Sequence, residues 1–198
     1  MDYIECDVRL TADGVPVILH DETLERTTNG SGPVAEATLE EVRRLDAGKG
    51  ERVPTLEEFL ALVRGRCPAH LELKAEGTPR VVLECVERAG MLDSIIFTSG
   101  TTERLAEVRR LSRVATFEHI FSDPPPDALE RALGVGASRV SVNHRHLRKE
   151  FVEAAHGVGL LVVTWTPNTE AEMLAAIAKG VDFVCTDRPD VLLRLLGR

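Results

Sequence analysis

Glu5 and Asp7 stand two residues apart in Tyr3-Ile4-Glu5-Cys6-Asp7-Val8, a run of strand-forming residue types. Side chains at i and i+2 of a strand share a face, so both carboxylates point the same way. Two acids on an inner face repel each other and resist desolvation unless a cation neutralises them. Such oxygen donors suit a hard divalent ion, magnesium or calcium, better than zinc. Taken alone, Glu-x-Asp fits an exposed edge strand with solvated acids better. His70-Leu71-Glu72-Leu73-Lys74 repeats the spacing. If the two strands are parallel neighbours, Glu72 joins Glu5 and Asp7 around one point. Lys74 then brings a positive charge for an anionic oxygen. An internal Glu72–Lys74 ion pair would explain those two residues but not Glu5 and Asp7.

A turn stands between the two strands. Thr11-Ala12-Asp13-Gly14 is followed by a second β-like run, residues 15–20, and Asp-Gly between apolar runs signals a hairpin. Folding back about this turn puts His20 level with Cys6 and Asp7, with His20-Asp21 beside the carboxylates. Imidazole titrates near neutrality and can act as a general acid or base there. Without the carboxylates opposite, His20 would be an ordinary loop residue. Asn143 and His144 close another strand-like run and His119 lies just past a third, at positions where a barrel enzyme places substrate contacts. A plain loop role fits each of these better. His70, His146 and His156 have no partner pattern and read as structural or surface residues.

The elements that must position these groups alternate in type. Strand-like runs fall at 3–8, 70–74, 94–99, 114–118, 139–143, 160–166 and 182–186, with helical runs at 38–45, 56–64, 80–89, 102–111, 127–133, 149–156, 170–178 and 189–196. Thr38 precedes Glu41 and Thr55 precedes Glu58 at capping-box spacing. Pro79 and Pro189 sit where a first helical turn tolerates proline. Beyond Lys74 the strands recur about every 20 to 25 residues, the length of a βα unit. Such alternation predicts a parallel sheet with helices packed outside it. An open nucleotide-binding sheet would carry a Gly-rich fingerprint after its first strand, and none is present. The expectation is an α/β fold, a (β/α) TIM-type barrel. It shows about seven of the usual eight strands, with the missing unit N-terminal to Met1. The long connection of residues 10–66 should carry the hairpin and a small insertion with structure of its own.

The chain has 198 residues and a formal net charge of −8, with 43% hydrophobic and 28% charged residues. This is the composition of one globular domain, residues 1–198. The acidic balance argues against a nucleic-acid partner, which needs a basic footprint. No apolar run reaches the roughly 20 residues of a transmembrane segment. Cys6, Cys67, Cys85 and Cys185 are scattered without a C-x-x-C pair, and no signal-peptide pattern opens the sequence. Reduced thiols in a cytoplasmic protein are expected.

At this point the sequence resembles the glycerophosphodiester phosphodiesterases. The likeness is carried, in order, by Tyr3-Ile4-Glu5-Cys6-Asp7-Val8, Leu10-Thr11-Ala12-Asp13-Gly14, Ile18-Leu19-His20-Asp21, and Leu24-Glu25-Arg26-Thr27-Thr28-Asn29-Gly30-Ser31-Gly32. It continues through Pro54-Thr55-Leu56-Glu57-Glu58, Leu71-Glu72-Leu73-Lys74, Val163-Thr164-Trp165-Thr166-Pro167-Asn168 and Thr186-Asp187-Arg188-Pro189. The resemblance implies a barrel hydrolase that releases glycerol 3-phosphate and an alcohol from small-molecule glycerophosphodiesters. It assigns Glu5, Asp7 and Glu72 to one divalent cation, Mg or Ca, and His20 to one of two catalytic histidines. It sets Lys74 near the phosphate and Trp165 beside the glycerol; Asn143 is a further candidate substrate contact.

The sequence departs from the family pattern in two places. The family's His-Arg strand, its Pro-Glu-Asn-Thr stretch and its first helix have no counterpart here. One catalytic histidine and the phosphate-binding arginine are therefore expected to be lacking, with turnover severely impaired. The strands at 3–8 and 182–186 would be left as open barrel edges that invite self-association. Thr98-Ser99-Gly100 stands where the family usually ends its strand in Ser-Phe. A barrel that binds metal or phosphate without turnover, or that serves as an association scaffold, is the alternative.

Overall fold

The structure is a computed structural model describing residues 2–198, which divide into two compact units. Unit one comprises Asp2–Phe97 with Arg110–Ala115; unit two comprises Thr98–Arg109 with Thr116–Arg198.

In unit one, β1 (Ile4–Leu10) pairs antiparallel with β2 (Pro16–Ile18) and parallel with β3 (Ala69–Leu73). The hairpin forms at the expected turn, where Gly14 has φ 77° and its N–H donates to the Thr11 carbonyl at 2.9 Å. Positive φ favours glycine there. β2 stops short of the expected residue 20. Its outer side is taken by the chain before the next helix, through Ile18 N–H to the Pro54 carbonyl at 2.9 Å and a bridge between Val17 and Thr55. Leu19 still donates to the Asp7 carbonyl at 3.1 Å, so His20 emerges beside β1 as the hairpin register requires.

The connection does carry structure of its own. Short α1 (Leu39–Val42) and α2 (Leu56–Val63) each begin in a complete capping box, Thr38 with Glu41 and Thr55 with Glu58. Val17, Leu19, Leu24, Val34, Val42 and Val53 form a buried cluster beneath the connecting loops. In β1 and β3 the alternation is clear: Cys6, Val8, Leu71 and Leu73 are buried on one face, which leaves Glu5, Asp7 and Glu72 on the other. α3 (Thr78–Arg88) follows with Pro79 in its first turn, and β4 (Ile95–Ser99) carries the chain into unit two.

Unit two contains most of α4 (Thr102–Leu111), then β5 (Thr116–Phe121), α5 (Ala128–Gly134), β6 (Arg139–Asn143), α6 (Lys149–Gly157), β7 (Leu161–Trp165), α7 (Glu170–Ala178), β8 (Phe183–Val184) and α8 (Pro189–Leu195). Its strands β5 to β8 pair parallel in sequence order. Two strands, β5 and β8, differ most from expectation. β5 runs on through Glu118 and His119, both buried, because the interior accommodates these polar groups. β8 is two residues rather than five: Asp182 is held by its carboxylate, which accepts from Val162 N–H at 2.7 Å, while Cys185 N–H still reaches the Thr164 carbonyl at 2.8 Å. No helix among the described residues is long and apolar enough to cross a membrane.

Candidate active site

The parallel register sets Glu5 opposite His70 and Asp7 opposite Glu72. Glu5, Asp7 and Glu72 thus project from neighbouring strands on one face, and one carboxylate oxygen of each lies within 4.8 Å of the other two. Lys74 follows, its backbone N–H bonded to the Val8 carbonyl. Its Nζ lies 3.3 Å from both Asp7 Oδ1 and Glu72 Oε1. These side chains are only 14–21% exposed, so their charges are weakly screened. Burial pushes the Glu72 carboxyl above the usual carboxylate range; Lys74 opposes that rise and Asp7 adds to it. The Cys6 thiol is pushed well up, first by burial and then by Glu5 and Asp7 on either side. A positive charge is therefore favourable at this face, and the donor set is all oxygen. That chemistry fits a hard cation.

His20 stands at the end of the hairpin. Arg9 of β1 donates from Nε to the His20 carbonyl at 3.0 Å, holding its backbone. Its Nδ1 lies 2.6 Å from Asp21 Oδ1. Asp21 is clamped in turn by Arg26, whose Nη2 reaches Oδ1 at 2.8 Å while its Nε meets Oδ2. Arg26 holds the Asp21 carboxyl far below the usual carboxylate range, with His20 contributing. The roles of Arg9 and Arg26 were not visible from spacing. Arg9 follows Asp7 on the same face of β1, but its bond to the His20 backbone depends on closure of the hairpin, and Arg26 joins a loop whose closure depends on tertiary packing.

The second unit holds the remaining candidates. Asn143 ends β6 and Trp165 ends β7, paired in register with each other, and His144 N–H bonds the Trp165 carbonyl at 2.7 Å. Asn143 Oδ1 accepts from Arg145 N–H at 3.0 Å, so its oxygen shapes the following turn. Trp165 is half-buried, its indole nitrogen buried without a hydrogen-bond partner. His119 is buried, stacked on Phe121 at 4.3 Å and paired with the Thr102 hydroxyl at 2.9 Å, a structural setting. His70 meets Tyr3 edge-on at 5.0 Å, His156 pairs with Asp182 at 2.9 Å and His146 lies 3.6 Å from Asp123.

Residues 1–191 match the family model described as the glycerophosphoryl diester phosphodiesterase family. The chain belongs to that family. It is similar to a glycerophosphodiester phosphodiesterase of Caldanaerobacter subterraneus subsp. tengcongensis, at 30% identity over 210 residues, covering 100% of this chain and 86% of the relative. Among solved structures, an Oleispira antarctica phosphodiesterase in complex with the product sn-glycerol-3-phosphate matches with TM-score 0.94 and 26% identity, covering 100% of this chain and 86% of that one. The glycerophosphodiester phosphodiesterase of Agrobacterium tumefaciens matches with TM-score 0.82 and 31% identity, over 96% of this chain and 86% of that one. The fold class is accordingly α/β, of the (β/α) barrel type that the alternation of elements predicts. The family membership makes the chain a phosphoric diester hydrolase.

Proposed function

We propose that this chain hydrolyses glycerophosphodiesters to glycerol 3-phosphate and an alcohol at the face formed by Glu5, Asp7, Glu72, Lys74 and His20. The observation that carries the reading is the convergence of three carboxylates within 4.8 Å on neighbouring strands, with Lys74 among them and His20 at the end of the adjoining hairpin. Glu5, Asp7 and Glu72 would hold one divalent cation, magnesium or calcium. When bound, that cation supplies positive charge to polarise a phosphoryl oxygen. Lys74 adds a second positive charge for the same developing anion, in a weakly solvated setting where such stabilisation counts most. His20 moves a proton at one side of the phosphorus, a step worth about 10²–10⁴-fold. Its Nδ1 faces Asp21, so Nε2 is the nitrogen that exchanges the proton.

The product named for the Oleispira relative supports glycerol 3-phosphate as the product here. The test is release of glycerol 3-phosphate from glycerophosphocholine by the purified chain with magnesium or calcium, alongside His20→Gln and Glu72→Gln. Cation-dependent release that both substitutions reduce supports the proposal. Cation binding with no release under any condition would instead favour a non-catalytic binding barrel.

A further inference from the structure

His20 and Arg26 are both well exposed, and each is bonded to the carboxylate of Asp21, which is only 25% exposed. A single exposed ion pair would mean little. This one is two-pronged. The Arg26 guanidinium spans both oxygens of Asp21 through Nε and Nη2, the fork geometry that fixes a carboxylate in plane and direction. The same Oδ1 that receives Nη2 at 2.8 Å receives His20 Nδ1 at 2.6 Å. An ionised carboxylate can only accept, so Nδ1 carries the hydrogen. The second nitrogen, Nε2, is left with its lone pair in neutral imidazole and with the exchangeable proton in the cation.

The support for Arg26 is built into the loop. Leu24 is buried in the cluster under the connection. Its N–H bonds the Gly32 carbonyl at 3.0 Å, and its carbonyl receives Thr28 N–H at 3.1 Å and the Thr28 hydroxyl at 2.6 Å. Arg26 therefore rises from a closed loop with both ends tied. On the other side, Arg9 holds the His20 backbone from β1. The His20 backbone is thus held from β1, while its Nδ1 is held by Asp21, itself clamped by Arg26.

We propose that Arg26 is a positioning residue which, through Asp21, fixes the orientation and tautomer of His20 so that Nε2 faces the reacting phosphodiester. The proposal rests on the reading of His20 as the group that moves a proton.

The experiment has two readouts, chosen so that the two readings can fail separately. Imidazole ¹⁵N NMR, with His20 assigned by loss of its signals in His20→Gln, reports which nitrogen carries hydrogen in the neutral ring. Steady-state kinetics on glycerophosphocholine reports kcat and KM. The parent should show the Nδ1–H form. Arg26→Ala and Asp21→Asn should shift His20 toward Nε2–H and lower kcat by about 10- to 100-fold with little change in KM, the usual cost of losing an orienting partner. Arg26→Lys keeps the charge but not the fork and should fall between. Added guanidinium should restore part of the lost kcat in Arg26→Ala. An unchanged tautomer in Arg26→Lys and Asp21→Asn would overturn the proposal, as would a shifted tautomer with unchanged kcat. Full activity in His20→Gln would remove the catalytic reading of His20 and with it any catalytic role for Arg26. The tautomer measurement would still report on the structural coupling.

Discussion

The ammonium of Lys74 stands 3.3 Å from the carboxylate of Asp7, across the β1–β3 pairing. Glu72, on β3 two residues before Lys74, lies at the same distance from it. Lys74 thus neutralises the pair of acids that a divalent ion would also engage. The same charge that steadies the three-carboxylate face opposes cation entry and favours an anionic substrate oxygen.

Lys74→Met should therefore separate two quantities that usually move together. A unit charge and a divalent ion about 4 Å apart at an effective dielectric of 20 repel by about 8 kcal/mol, and rearrangement of a flexible lysine relieves much of this. Magnesium or calcium should bind roughly tenfold more tightly to the variant, a difference of about 1.4 kcal/mol. Turnover should drop. Calorimetry and glycerol 3-phosphate release measure the two effects. Weaker cation binding in Lys74→Met would mean that Lys74 supports the ion rather than competing with it.

Glu72→Gln tests the donor set itself. The substitution keeps the shape and removes one of three converging charges. Affinity of oxygen sites for hard cations follows the number of charged ligands, so binding should weaken by about tenfold or more. If calorimetry finds magnesium and calcium bound as tightly as by the parent, Glu72 is not a ligand.

His119 gives a prediction for pH. It is 1% exposed, and burial pulls its pKa below the ordinary histidine value, with Arg131 acting in the same direction and the Ile120 carbonyl and Glu103 opposing. A histidine whose folded pKa is depressed binds protons more readily when unfolded. The stability it contributes is present above the unfolded value of about 6.5 and is lost as pH falls through the folded value. The parent should lose stability on acidification from about pH 7 to pH 5. His119→Gln, able to keep a bond to the Thr102 hydroxyl, should show a shallower decline. Denaturant unfolding at several pH values measures it; parallel curves for the two proteins would show that His119 does not titrate on unfolding.

The parts of the site that sequence could reveal are those governed by short, regular geometry. Glu5, Asp7 and Glu72 are legible because a strand repeats every second residue and because consecutive strands of βα units pair in parallel. His20 is legible because an Asp-Gly turn fixes a hairpin register. Arg26 is not: its bond to Asp21 spans five residues of irregular loop, and its direction depends on Leu24 being buried. His119 and Glu118 mislead for the opposite reason. Polar residues in an apolar run read as a strand end, whereas here both are buried within β5. Thr169 and Glu172 keep the spacing of the two expected capping boxes and form a third.

Stability and the placement of His20 meet at the start of α2. Thr55 caps α2: its hydroxyl accepts from Glu58 N–H at 3.2 Å, while Glu58 accepts from Thr55 N–H at 2.9 Å and also pairs with Arg43. Thr55 also bridges to Val17, and Pro54 beside it accepts from Ile18 N–H. The start of α2 is therefore the outer support of β2, the short strand from which His20 extends. Thr55→Ala removes the hydroxyl and one half of the box, which should cost about 1 kcal/mol. For a chain of this size that corresponds to a lowering of Tm by roughly 2–4 °C. Because the backbone bond from Ile18 to Pro54 survives the substitution, the hairpin should stay in register and kcat should change by less than about twofold. Thermal melting and steady-state assays on Thr55→Ala measure both. A large fall in kcat with unchanged Tm would show that the α2 cap positions His20 directly rather than by stabilising the hairpin's support.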